Sequence, residues 1–287
     1  MRQLWTLALV LLACACGRDD GATVADPAEP ATGAAPAASA TRDSPSIADI
    51  APSIEVTGYE IAYGDPAVHI HNGYFVLPAD VGEELPGVLL IHDQWGLNDY
   101  VRAMARRLSG EGYAVLAIDL FDGQTAGSAA QADVLAGQFL GDRAAVLANI
   151  GQARAWLEEN GLPPRMGALG FGHGGEWALE AGLDAGDAFD AIVMFYGRVI
   201  GNADELEMLS APLLGIFAQQ DDTVPLRDVT QFRSRLRDLG KSAVVLIHPN
   251  VAHDFAYPDS AAYDHDAAVE NWNSAVDFLA TSLHSEE

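Results

Sequence analysis

Gly170-Phe171-Gly172-His173-Gly174-Gly175 decides the reading of this chain. A short apolar run, Met166 to Leu169, leads into it, and a helical pattern, Glu176 to Leu183, leads out. That order predicts a strand, a sharp turn and a helix. Glycines flank the turn because a side chain there would strike the neighbouring strand or helix. Such an elbow lifts the residue at its apex clear of a sheet, which is how a nucleophile is presented. The apex here is Gly172. It has no side chain with which to attack anything, so any chemistry at this turn must come from other residues.

Outward from the elbow, the chain alternates between the two periodicities. Val56 to Tyr63 and Val68 to Leu77 read as strands, the second with an Asn72-Gly73 turn signal inside it, and together as a hairpin or sheet edge. Gly87 to Ile91, Tyr113 to Ile118, Ala191 to Tyr196, Pro212 to Phe217 and Ala243 to His248 read as buried strands. Val101, Ala105 and Leu108 recur at helical spacing, as do Val146, Ile150, Ala153 and Leu157. Leu226, Val229, Phe232, Leu236 and Leu239 form a further helix, and Trp272, Val276 and Leu279 a closing one. Strands alternating with helices predict an α/β domain, a mostly parallel sheet with helices on both faces. Sites in such sheets lie beyond the carboxyl ends of strands.

The chain has 287 residues, 49% of them hydrophobic, enough for one domain and a leader. Its 41 acidic and 15 basic residues leave a formal charge of −26. Such a surface repels phosphates and excludes nucleic-acid binding. Arg2 followed by the apolar run Leu4 to Ala13 has the form of a signal peptide over residues 1–16, too short to span a bilayer comfortably. Leu11-Leu12-Ala13-Cys14 resembles the lipobox of bacterial lipoproteins, with Ala13-Cys14-Ala15-Cys16 as a second register. Lipidation of Cys14 or Cys16 would anchor the chain to a membrane face in the bacterial cell envelope. Residues 17–53, rich in Ala, Pro, Asp, Ser and Thr, read as a flexible tether, and 54–287 as the folded domain.

Three segments beyond strand ends carry reactive residue types: the elbow, Gln219 to Pro225, and His248 to Phe255. Elbow, then Asp, then His is the α/β-hydrolase order. In it Asp221 fixes the tautomer of His253, and His253 acts as general base. More specifically, the domain resembles the dienelactone hydrolase family. The resemblance rests on Ile91-His92-Asp93-Gln94-Trp95-Gly96-Leu97-Asn98, on Gly112 to Phe121, on the elbow, on Asp221-x-x-Val224-Pro225 and on Ala252-His253-Asp254-Phe255, all in the family's order. It implies a hydrolase of small carboxylic esters or lactones, working without a cofactor. The family's acid falls on Asp221, its base on His253 and its usual cysteine nucleophile on Gly172. A glutamate that contacts the thiol falls on Asp93, one methylene shorter, and the oxyanion hole on the N–H groups of Gln94 and His173. A substrate-binding arginine found in some members has no counterpart near Gly123.

Three functions fit these residues. The chain is a degenerate member that binds a small ligand; or His253, oriented by Asp221 and assisted by His173, activates water over Gly172; or His92, Asp93, His173, Asp221 and His253 converge on a metal, although no His-x-x-x-His spacing supports that. Gly170-x-Gly172-x-x-Gly175 matches a dinucleotide fingerprint only formally, because it lies deep in the chain and no acidic residue ends the next strand. His69 and His71 read as edge histidines, Asp222 and Asp254 as solvated neighbours of the site, and His92 as a group packed beneath it. Trp95 and Phe255 fit either a pocket wall or the core. Ser109, Ser128 and Ser210 lie outside elbow contexts.

Overall fold

The computed structural model describes residues 46–80, 85–160 and 165–284. Contacts divide the chain into Met1–Arg42 and Asp43–Glu287, and the second unit is the α/β domain. The segment read as a signal peptide, with Cys14 and Cys16, and most of the segment read as a tether lie outside the described residues. The folded part starts before residue 54, however. Ile47 is fully buried in a short 3-10 turn, Ile47–Asp49, and Arg107 Nη1 donates to its carbonyl at 2.6 Å. A single large apolar residue in a polar stretch was enough to dock it, so Ser46 to Ser53 belong to the folded unit.

The strands are β1 (Val56–Tyr63), β2 (His71–Pro78), β3 (Gly87–Ile91), β4 (Ala114–Ile118), β5 (Met166–Phe171), β6 (Ala191–Phe195), β7 (Leu213–Ala218) and β8 (Ala243–His248). The helices are α1 (Asp99–Ser109), α2 (Ala129–Phe139), α3 (Arg143–Glu159), α4 (His173–Asp184), α5 (Ala203–Leu206), α6 (Leu226–Asp238) and α7 (His265–Leu283). Among the described residues all eight strands join one sheet in the order β1-β2-β4-β3-β5-β6-β7-β8. The β1–β2 hairpin is antiparallel and pairs antiparallel with β4, while β4 through β8 run parallel.

The Asn72-Gly73 turn signal is overruled. Both residues sit within β2, opposite Ala62 and Ile61, and the chain turns earlier, where the N–H groups of Val68 and His69 both donate to Asp65 O at 2.9 Å. Gly73 is needed for close approach instead: a Cβ there would meet Leu116 Cδ1 at 2.9 Å. Short α2 and α5 were not legible as periodic patterns.

Each central strand feeds both faces, since successive side chains alternate. Val88 and Leu90 pack with Met104 and Leu108 of α1 and Trp272 and Leu279 of α7. Leu89 and Ile91 pack on the opposite face with Ile150 of α3, Trp177 of α4 and Phe232 of α6. The chain leaves β3 for β4 on one side and reaches β5 on the other, so the topological switch lies between β3 and β5. A crevice opens there because successive connections depart in opposite directions. Asp93 follows β3 and Gly172 follows β5, and the two meet across it.

Candidate active site

The elbow packs as the glycines foretold. A Cβ on Gly170 would lie 2.1 Å from Gly174 O, and one on Gly174 would lie 2.1 Å from Ile91 O. The first turn of α4 therefore rests directly on β5 and β3. Gly172 adopts φ 52° and ψ −119°, its N–H donates to Phe195 O at 2.9 Å, and its carbonyl accepts from Glu176 N at 3.1 Å. The apex has the positive-φ backbone an elbow requires, which glycine adopts without strain, and no side chain projects from it.

The side chain missing at 172 is replaced by another. A Cβ on Gly172 would fall 2.4 Å from Asp93 Oδ1, 2.5 Å from its Cγ and 2.5 Å from its Oδ2. The Asp93 carboxylate thus fills the space over the elbow. Its Oδ1 accepts from Gln94 N at 2.7 Å and His173 N at 3.0 Å. The two N–H groups marked by resemblance as oxyanion donors do converge on one point, and in this structure that point holds the chain's own carboxylate. The α4 N-terminus adds a favourable dipole for it.

Asp221 and His253 are brought together across the ends of β7 and β8. His253 Nδ1 lies 2.8 Å from Asp221 Oδ2. The other Asp221 oxygen accepts from Thr223 N at 2.8 Å and Val224 N at 2.7 Å, which locks the carboxylate toward the ring. Tyr196, itself buried, meets the imidazole edge-to-face at 5.2 Å. Burial opposes protonation of His253, but the Asp221 bond and the charges of Asp254, Asp221 and Asp93 outweigh it and raise its pKa. His253, Asp93, Gly172, His173 and Gln94 all border one cleft.

Asp254 is the residue sequence reasoning misjudged. Asp222 is exposed as expected, but the Asp254 side chain is 16% exposed, with φ 60°, and its Oδ1 lies 3.6 Å from His253 Nε2. That is an ion contact too long for a hydrogen bond, and Oδ1 is otherwise buried without a partner. Burial, then the charge of Asp93, push its pKa up from 3.8 to about 6. The left-handed backbone at 254 turns the carboxylate inward, which no local pattern signals. Glu176 was also missed. It is buried beside the elbow and paired with Arg198 and, at 3.7 Å, with His173. Its carboxylate beside His173 raises the histidine's pKa; burial opposes Glu176 ionisation, but His173 and Arg198 overcome that and lower its own.

His92 lies beneath the site, fully buried. Its Nε2 accepts from Leu120 N at 2.9 Å, so its Nδ1 carries the proton and donates to Asp93 O at 2.6 Å. Burial lowers its pKa. Trp95 stacks on Tyr257 at 5.6 Å in the wall of an apolar pocket, whereas Phe255 is core. The metal reading of His92, Asp93, His173, Asp221 and His253 fails. Their ligand atoms do not converge on one point, and among the described residues the one group with converging ligand atoms is His69, His71 and Asp122.

An elbow between β5 and α4, with Asp and His delivered from β7 and β8, defines the α/β-hydrolase fold. The dienelactone hydrolase family model matches residues 71–283, and the chain belongs to that family. A candidate carboxymethylenebutenolidase of Salmonella typhi is 26% identical over 222 residues, covering 72% of this chain and 81% of that protein. One from Aquifex aeolicus is 27% identical over 218 residues, covering 74% and 93%. Among solved structures, a dienelactone hydrolase-like promiscuous phosphotriesterase from metagenomic libraries superposes with a TM-score of 0.73 at 24% identity, covering 80% of this chain and 99% of that one.

Proposed function

We propose that the chain hydrolyses carboxylic esters or lactones without a covalent intermediate, by attack of water activated at His253. The observation that carries this reading is the 2.8 Å His253–Asp221 pair facing a cleft whose elbow apex is bare. His253 Nε2 takes a proton from water as the oxygen adds to the substrate carbonyl. The carbonyl oxygen becomes the oxyanion on Gln94 N and His173 N, displacing the Asp93 carboxylate. Collapse of the tetrahedral adduct breaks the acyl–oxygen bond, and the His253 proton goes to the departing alkoxide. Asp93 is then a resting-state plug that must rotate away for turnover.

The second reading, an inactive ligand binder, is favoured by that same plug, because in the plugged state no donor is free for an oxyanion. Loss of a nucleophile costs about 10⁶-fold in a related mechanism. A panel of activated esters and lactones separates the two. Slow native turnover, lost by about 10²-fold in His253→Ala and raised in Asp93→Ala, supports water attack. A silent native protein whose Asp93→Ala/Gly172→Cys variant gains esterase activity supports the binder. Gly172→Cys alone decides nothing, since its Cβ would collide with Asp93. Silence in every variant overturns the roles assigned to Asp221 and His253.

We also infer export through residues 1–16 and lipidation at Cys14 or Cys16, carried by the Leu11-Leu12-Ala13-Cys14 pattern. Acyl chains on that cysteine would hold the chain to a membrane face; no described helix is long and apolar enough to cross a membrane. Labelling with a fatty-acid analogue tests this. Label lost in Cys14→Ser or in Cys16→Ser identifies the acceptor, and label absent from the native chain removes the anchor.

A further inference from the structure

At the rim of β2 and β4, three metal-ligating side chains meet that the hydrolase site does not use. His71 opens β2, His69 stands two residues before it, and Asp122 follows β4 in a left-handed backbone conformation with φ 50°. Antiparallel pairing of β2 with β4, extended by Asp119 N donating to Asn72 O at 3.2 Å, brings the two segments together. One ligand atom from each residue lies within 4.8 Å of the others. His69 Nε2 and Asp122 Oδ1 are 3.0 Å apart, and the two imidazole centroids 4.5 Å.

We propose that His69, His71 and Asp122 bind a divalent first-row cation, with zinc the best fit. Ligand type, spacing and access all suit it. Two imidazoles and one carboxylate are a zinc donor set, and three protein ligands leave a fourth position for water. Two donors about 2.0 Å from a shared zinc at a tetrahedral angle lie about 3.3 Å apart, close to the separation seen. His69 and Asp122 side chains are each 48% exposed, so a cation can enter from solvent.

An independent observation comes from His71. Its Nδ1 is buried and has no hydrogen-bond partner, although Tyr63 stacks on the ring at 5.5 Å and holds it in place. Buried polar atoms normally find partners, and a metal would satisfy this one. Gln152 Oε1, a second buried acceptor without a partner, borders the same cleft. The strongly acidic molecule favours cations in general.

The cation would clamp the entry of β2 to the loop leaving β4. That loop reaches the hydrolase site, because its Leu120 N–H is the donor that orients His92 beneath Asp93. The site is nonetheless separate, sharing no residue with His253, Asp221 or Asp93.

The test uses the full, untagged chain, stripped with chelator and titrated with zinc chloride, with metal content by mass spectrometry and binding by calorimetry. About one zinc per chain is expected. Affinity should fall at least tenfold in His69→Ala and in Asp122→Asn, and stay unchanged in His253→Ala and His173→Ala. Cobalt substitution should give the intense visible bands of a four-coordinate site, lost in His69→Ala. His69 and Asp122 are exposed, so their variants keep the fold even if His71→Ala does not, and circular dichroism verifies this. No zinc uptake overturns the proposal. So does zinc that survives His69→Ala with Asp122→Asn, because cysteine or hydrolase-site ligands would then hold it.

Discussion

At the scale of single residues, the site is governed by how many carboxylates crowd one imidazole. Asp221, Asp254 and Asp93 all favour the cation of His253. A base held this way needs a higher pH to become neutral, so the ascending limb of any turnover profile should have its midpoint above the usual 6.5. Asp254 bears the other side of this crowding. Its folded pKa, about 6, lies above its ordinary 3.8, so folding favours the protonated acid. The resulting penalty is absent below the unfolded value, grows between the two and is complete above about 6. Asp254→Asn keeps the shape and tolerates the positive φ. It should therefore stabilise the fold at pH 8 by about 1–3 kcal/mol, with the gain fading toward pH 4. Urea denaturation at both pH values reads this; a difference that does not change with pH would rule it out. The same variant should move the His253 midpoint down. The sequence showed Asp254 only as the neighbour of a histidine. Its inward turn depends on a backbone angle imposed by the loop after β8.

At the scale of elements, the strand–elbow–helix unit is a close contact of backbones. Gly170→Ala would place a methyl carbon 2.1 Å from Gly174 O, where neither partner is a movable side chain. It should cost about 3 kcal/mol or more. Gly151, exposed in the interior of α3 with nothing within 4 Å of an added methyl, is the opposite case. Gly151→Ala should stabilise by about 0.5–1 kcal/mol, since it only removes unfolded-chain freedom. Denaturation midpoints of the two variants should move in opposite directions; a shared direction would contradict this account of the elbow. The elbow was legible because glycine spacing encodes close approach directly. The β2 boundary was not, because Asn72-Gly73 carries a local turn preference that pairing with β1 and contact with β4 override.

At the scale of the whole molecule, charge selects among ligands. The cleft holds Asp93, Asp133, Glu176, Glu180 and Asp254, and its two arginines are already paired. Arg198 is bound to Glu176, and Arg143 lies 2.8 Å from Glu180 and 3.6 Å from Asp184. With a formal charge of −26 behind it, this cleft repels anions. A neutral ester should therefore exceed its hemisuccinate analogue in kcat/KM, or in binding, by about tenfold at low salt. The gap should narrow as added salt screens the field. Equal values at low salt would remove charge as a determinant.

The α/β-hydrolase fold, the order elbow–Asp221–His253 and the bare apex at Gly172 follow from the sequence alone. They rest on periodicity, glycine spacing and residue identity, which are local quantities. Asp93 seated on the oxyanion donors, Asp254 turned onto the imidazole, and His69 and His71 meeting Asp122 were decided only by tertiary structure. Each depends on sheet order or on the backbone of a loop, and neither is written in any spacing along the chain.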